Sequence, residues 1–186
     1  MDTVTVRVLG VQDWQSYRDA WLRSLRDAPE AFSSEHDTEA RLDEQVWLER
    51  MRRSVRLLAE EDGTVVGIVS VNDQVDLLEN AVEVFGLWVA EPARGHGVAQ
   101  QLMQAATQVA VRAGKRQVVT WVGTDNGPAV AFVSGYGFRP TEYRRQMQSV
   151  PVRGLLDDAP NPPLPAADDD LGDVEFEMAM ILALGH

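Results

Sequence analysis

The segment from Val82 to Met103 constrains this chain most. It reads as an apolar strand, a short turn with Pro92, a glycine-rich corner over Arg94-Gly95-His96-Gly97-Val98-Ala99, and a helix. Val98, Leu102, Ala105, Ala106, Val109 and Ala113 recur on one helix face, and Gly114 ends the run. The corner therefore lies at a helix start, where backbone N–H groups lack intrahelical partners and the macrodipole adds partial positive charge. Glycine lets the backbone approach a bound group with no side chain between them. Such a corner is a cradle for a pyrophosphate.

Two other phosphate loops do not fit. No Gly-Lys-Ser/Thr triplet follows these glycines, as a Walker loop requires, and a dinucleotide fingerprint counted from Gly95 would place Gln100 where Gly or Ala belongs. The segment resembles motif A of the GNAT acetyltransferases, Q/R-x-x-G-x-G/A, through Arg94, Gly97 and Ala99. Downstream, Asn126-Gly127-Pro128-Ala129, Phe132 and Gly137-Phe138 resemble the family's motif B. Residues 3 to 140 carry the resemblance. It implies an α/β (α+β) GNAT fold: a mixed, mostly antiparallel sheet of six to seven strands, flanked by about four helices and splayed at an acetyl-CoA site.

The length, 186 residues, suits one domain spanning the chain, and 45% apolar residues suffice for a core. No apolar run approaches a membrane span, and the N-terminus lacks the pattern of a signal peptide. The absence of cysteine excludes disulfides, thiolate metal sites and a cysteine nucleophile, and fits a cytoplasmic setting. No metal is expected. A net charge of −12 argues against nucleic acid and anionic membranes as partners, and would suit a cationic substrate.

In chain order, Thr3–Leu9 alternates as a strand, and Asp13 is placed to cap a helix with Trp14, Tyr17, Trp21 and Leu25 inward. A turn over 28–34 precedes a second helix carrying Leu42, Val46, Trp47 and Met51. Strands over Val55–Ala59 and Thr64–Val71 flank a hairpin turn. After the motif-A helix come a strand over Gln117–Val122, a helix opened by Pro128, and a strand over Arg139–Val150. Residues 151–172 hold five of the nine prolines and five aspartates, which predicts an acidic loop or flap. Val174–Leu184 then reads as a closing strand, antiparallel to the 139–150 strand.

The resemblance assigns acetyl-CoA contacts to Arg94, Gly95, His96, Gly97, Val98 and Ala99 in the corner, and to Asn126, Ala129 and Phe132 in motif B. It assigns Leu87, Trp88 and Val89 to the splayed edge, where Gly86 would ease a bulge. On the acceptor side it points to Phe32, Ser33 and Glu35. Phe32 reads equally as core and Glu35 as a solvated residue.

Transfer to an amine needs a proton acceptor, an oxyanion donor and an acid for the leaving thiolate. Glu83, six residues before Val89, occupies the place of a general-base glutamate in the histone-acetylating branch of the family. Its neighbours Val82, Val84 and Phe85 would raise its proton affinity by desolvation. The alternative is an exposed residue at a strand start. His96 reads as a loop residue beside phosphate rather than as the base.

The sequence departs from the family at Val133, where many relatives carry a tyrosine acid. Tyr136 is the nearest substitute, or else part of the core, and Tyr143 is a further candidate. The expected activity is acetyl transfer from acetyl-CoA to a primary amine of a small molecule or peptide, and a homodimer is compatible with it. A GNAT-fold sensor that binds acyl-CoA without turnover is the alternative that Val133 favours. A nucleotide-binding protein is a second rival.

Overall fold

A computed structural model describes residues 3–29, 36–146 and 176–185. Its strands are β1 (Val4–Val8), β2 (Val55–Glu61), β3 (Thr64–Asn72), β4 (Ala81–Val89), β5 (Gln117–Gly123), β6 (Arg139–Gln146) and β7 (Phe176–Ala183). Its helices are α1 (Trp14–Asp27), α2 (His36–Ala40), α3 (Glu44–Arg53), α4 (Val98–Arg112) and α5 (Gly127–Tyr136). All seven strands form one sheet in the order β1-β2-β3-β4-β5-β7-β6. The β4–β5 pair is parallel and every other pair antiparallel. This is the expected mixed, mostly antiparallel sheet, with five helices instead of about four.

The extra helix arises because the expected second helix is divided. Asp43 accepts from the Val46 N–H at 3.3 Å and so caps a fresh start, leaving Leu42 in the connection between α2 and α3. Asp13 does not cap α1 through its side chain. Its carboxylate accepts from the Gly10 N–H at 2.9 Å, and a 3-10 turn over Val11–Asp13 leads into the helix. The β2–β3 hairpin turns through Asp62 (φ 51°) and Gly63 (φ 78°), the two left-handed residues of a type I′ turn.

Alternation along the strands gives the sheet two apolar faces. One carries Leu57, Val69, Val71, Val82, Val84, Val118 and Val122 against α4 and α5. The α4 stripe is buried as expected at Val98, Leu102 and Ala106, while Met103 and Ala110 are buried in addition and Ala113 is exposed. The other face carries Leu58, Ile68 and Trp88 against Tyr17, Trp21 and Leu25 of α1 and Trp47 and Met51 of α3.

Two irregularities in β4 prepare the site. Its register with β3 runs from Ser70↔Phe85 to Ile68↔Trp88, so β4 spends one residue more than its partner. The bulge lies at Gly86, with φ +64°. It reverses the alternation. Leu87 and Val89 join Val82 and Val84 on the α4 face, while Trp88 turns to α1.

The second irregularity is a split. Pairing of β4 with β5 covers Ala81↔Gln117, Val82↔Val118 and Glu83↔Val119 and stops there, although both strands continue. Thr120 Oγ1 donates to the Val84 carbonyl at 3.1 Å just past the last pair. Beyond the split, β7 lies between β5 and β6. The closing strand is antiparallel to β6 as expected. Residues 147–150 of the expected 139–150 strand and the 151–172 segment lie outside the described residues. Among the described residues, no helix is long and apolar enough to cross a membrane.

Candidate active site

The glycine corner is built as a helix-start cradle. Gly97 (φ +82°) is the N-cap residue of α4, and the first intrahelical bond runs from the Gln101 N–H to the Gly97 carbonyl at 3.0 Å. The N–H groups of Val98, Ala99 and Gln100 therefore have no partner within the helix. A Cβ added at Gly97 would meet nothing within 4 Å, so the space beside these donors is open. Val98 is buried and pins the helix start to the core, whereas Gly95 and His96 are exposed. Residues with this geometry fit a pyrophosphate.

Arg94 is tied to the strand before it: its Nε donates to the Val89 carbonyl at 3.0 Å. The Ala90 N–H donates to Val66 at 2.8 Å, so Ala90 turns to β3 and Val89 turns its backbone the other way, toward the split. Leu87 is half-buried at this edge. Trp88, expected at the split, does not face it: by the same alternation its backbone turns to Ile68 of β3, and its ring is buried on the α1 face with the Arg23 guanidinium 5.2 Å from the ring centroid.

Motif B lies on α5. The Asn126 side chain accepts from the Ala129 N–H at 3.2 Å and caps the helix, so its visible role is to place the α5 start. Ala129 and Phe132 are half-buried against the α4-side core, and Val133 is buried in it. Tyr136 packs on Phe138 at 6.1 Å between ring centroids. Its hydroxyl is 3.3 Å from Thr107 Oγ1, which itself donates to Met103 on α4. This placement favours the packing role of Tyr136 over the acid role. Tyr143 is exposed on β6.

Glu83 is the last β4 residue in register with β5, and it is 4% exposed. The exposed strand-start alternative is thereby overturned. Val82 and Val84 point to α4, so the Glu83 side chain points to the opposite face of the sheet. Its Oε1 has no hydrogen-bond partner among the described residues. Burial raises its pKa from 4.5 to about 8, with Arg145 pulling it down and Glu177 pushing it up.

Arg145, Glu177 and Trp121 surround this carboxylate, and none of the three was singled out in the sequence. Arg145 Nη2 lies 4.0 Å from Glu83 Oε1, while its Nε donates to Glu177 Oε2 at 2.6 Å. The guanidinium stacks 4.3 Å from the centre of the Trp121 ring. Alternation could have placed Glu177 and Trp121 on one face, but the register that brings β6 and β7 beside β5 has no local signal. Phe32, Ser33 and Glu35 lie outside the described residues.

Comparison with known proteins agrees with this geometry. The model of the acetyltransferase (GNAT) family matches residues 14–138. A mycothiol acetyltransferase of Jonesia denitrificans is 30% identical over 58% of this chain and 33% of its own. An uncharacterised N-acetyltransferase of Methanocaldococcus jannaschii is 28% identical over 52% of this chain and 44% of its own. The matched part is thus less than half of either relative. Among solved structures, a GNAT acetyltransferase of Streptococcus pneumoniae superposes with a TM-score of 0.69 at 19% identity, covering 98% of this chain and 100% of the other. A putative acetyltransferase of Salmonella typhimurium, solved with acetyl-CoA, gives 0.67 at 19% identity, covering 98% and 94%. With the family model matching across β2 to α5, both motifs included, the chain belongs to the GNAT acetyltransferase family.

Proposed function

We propose that this chain transfers the acetyl group of acetyl-CoA to a primary amine of a small molecule or peptide, with Glu83 as the base. The observation that carries the reading is a single buried carboxylate, with an unpartnered oxygen, at the point where β4 and β5 part. Acetyl-CoA would supply an activated acyl thioester. The N–H groups of Val98, Ala99 and Gln100 would hold its pyrophosphate, and the Val89 backbone at the open edge would serve its pantetheine amides.

The amine must lose a proton as it attacks, and Glu83 is placed to take it at Oε1. A carboxylate with a pKa near 8 is a stronger base than an ordinary glutamate, though a smaller fraction of it is ionised at neutral pH. The leaving thiolate needs an acid less, since thiolates depart readily. That is consistent with an apolar Val133 and with a Tyr136 hydroxyl held by Thr107.

Those same two residues favour the second reading, a sensor that binds the thioester without turnover. Thiol release from acetyl-CoA in the presence of an amine panel separates the two. The transferase reading predicts acceptor-dependent release; a sensor would gain thermal stability from acetyl-CoA and release nothing with any amine.

A further inference from the structure

We propose that Arg145 is a positioning residue for Glu83: clamped by Glu177 and Trp121, it holds a guanidinium beside the split and draws the carboxylate toward its ionised, proton-accepting form. The inference rests on the reading of Glu83 as the base. Arg145 belongs to β6, two strands beyond β5 in the sheet, so its side chain must reach across β7 and β5 to approach Glu83. Two contacts fix that reach. The Nε bond to Glu177, its cross-strand partner, holds the root of the guanidinium, and the Trp121 ring supports its face. The Arg145 side chain is 11% exposed, so water screens its charge little.

The distance matters as much as the charge. At 4.0 Å from Oε1, Nη2 is outside hydrogen-bond range yet close enough to act through its field. A direct bidentate pair would hold Glu83 fully ionised but occupy the oxygens that must accept a proton. With no cation at all, burial would leave the carboxyl protonated and unable to accept one. Arg145 provides the field and leaves Oε1 open.

The other elements around Glu83 carry one further charge, the buried Arg56 guanidinium, which is turned to other partners. Asn72, directly opposite on β3, is neutral and turns its amide to Gln74. Arg56 of β2 directs its guanidinium to Ser70 and to the Arg50 carbonyl, over the rings of Tyr17 and Phe85. From β5 come Val119 and Trp121, and from α1 uncharged rings. Among the described residues the charges that act on Glu83 are Arg145 and Glu177, with opposite signs.

The test is a pH titration of the Glu83 carboxyl carbon by NMR in the full chain labelled with 13C-glutamate, the signal being assigned by its loss in Glu83→Gln. The wild-type midpoint is expected at about 8. Arg145→Met should raise the midpoint by about one pH unit. Arg145→Lys should largely preserve it, and Glu177→Gln should lower it. Opposite movements from the two ends of one ion pair are what a merely structural clamp would not produce.

The rise of kcat/KM with pH, measured by CoA release with the best acceptor of the amine panel, should move with the carbon signal. An unmoved or lowered midpoint in Arg145→Met overturns the inference whatever the activity does. If that variant does not fold, an unmoved or raised midpoint in Glu177→Gln overturns it instead. A midpoint that moves while the activity profile stays put contradicts Glu83 as base, and the positioning role falls with it.

Discussion

The two sides of the split sheet are built differently. On the cofactor side, the corner from Arg94 to Ala99 is local: one turn, one helix start and a strand end a few residues away. On the acceptor side, Glu83, Trp121, Arg145 and Glu177 come from four strands, with β7 inserted between β5 and β6. The first kind of site is set by backbone conformation at a few consecutive residues. The second depends on register over most of the chain. A change at the corner should therefore alter binding and spare chemistry, and a change around Glu83 should do the reverse.

The largest expected effect lies on the acceptor side. Glu83→Gln preserves size and removes basicity, and should lower kcat by about 10²–10⁴ with the KM for acetyl-CoA nearly unchanged. A parallel loss of acetyl-CoA affinity would erase the distinction between the two sides. On the cofactor side, Gly97→Val forces a β-branched residue to φ +82° and places a side chain over the α4 start. It should abolish the thermal shift given by acetyl-CoA or CoA while far-ultraviolet circular dichroism keeps its wild-type form. A retained shift would remove the corner from the account.

Smaller effects probe how the halves are joined. Gly86→Ala adds a Cβ at φ +64°, 3.4 Å from the Trp21 ring, in the bulge that reverses β4. A cost of about 1–2 kcal/mol in denaturant unfolding is expected. No loss would mean that the bulge does not need glycine. Tyr136→Phe should be smaller still: it removes the hydroxyl beside Thr107, about 1 kcal/mol, and leaves kcat within about twofold. A fall in kcat of about tenfold or more would instead make Tyr136 the acid.

The division between local and assembled structure also explains what the sequence reveals. The α4 stripe, the Asp62–Gly63 hairpin, the bulge at Gly86 and the closing strand are governed by periodicity, turn chemistry or a single glycine, and all are legible. The break at Asp43 is local too, but a capping aspartate inside an otherwise helical stretch competes with a continuous apolar stripe. Asp13 illustrates the same ambiguity, because its carboxylate finds the Gly10 N–H behind it and leaves the helix ahead uncapped. Glu83 is visible as a carboxylate among apolar neighbours. Arg145 is one of two adjacent arginines near the end of β6, and nothing short of the β5-β7-β6 order distinguishes it from Arg144, which bonds the backbone carbonyls of Thr141 and Tyr143.

The most direct test of Glu83 as the base is the pH profile of kcat/KM in wild type and Glu83→Gln with one acceptor amine. The amine's own ionisation contributes equally to both profiles, so the difference isolates the carboxyl. Burial keeps Glu83 protonated up to about 8, so wild-type activity should rise through that pH as the carboxylate forms. Glu83→Gln should lose this step and keep the one due to the amine. A wild-type profile already flat above pH 5, or an identical step in Glu83→Gln, would contradict the role given to Glu83.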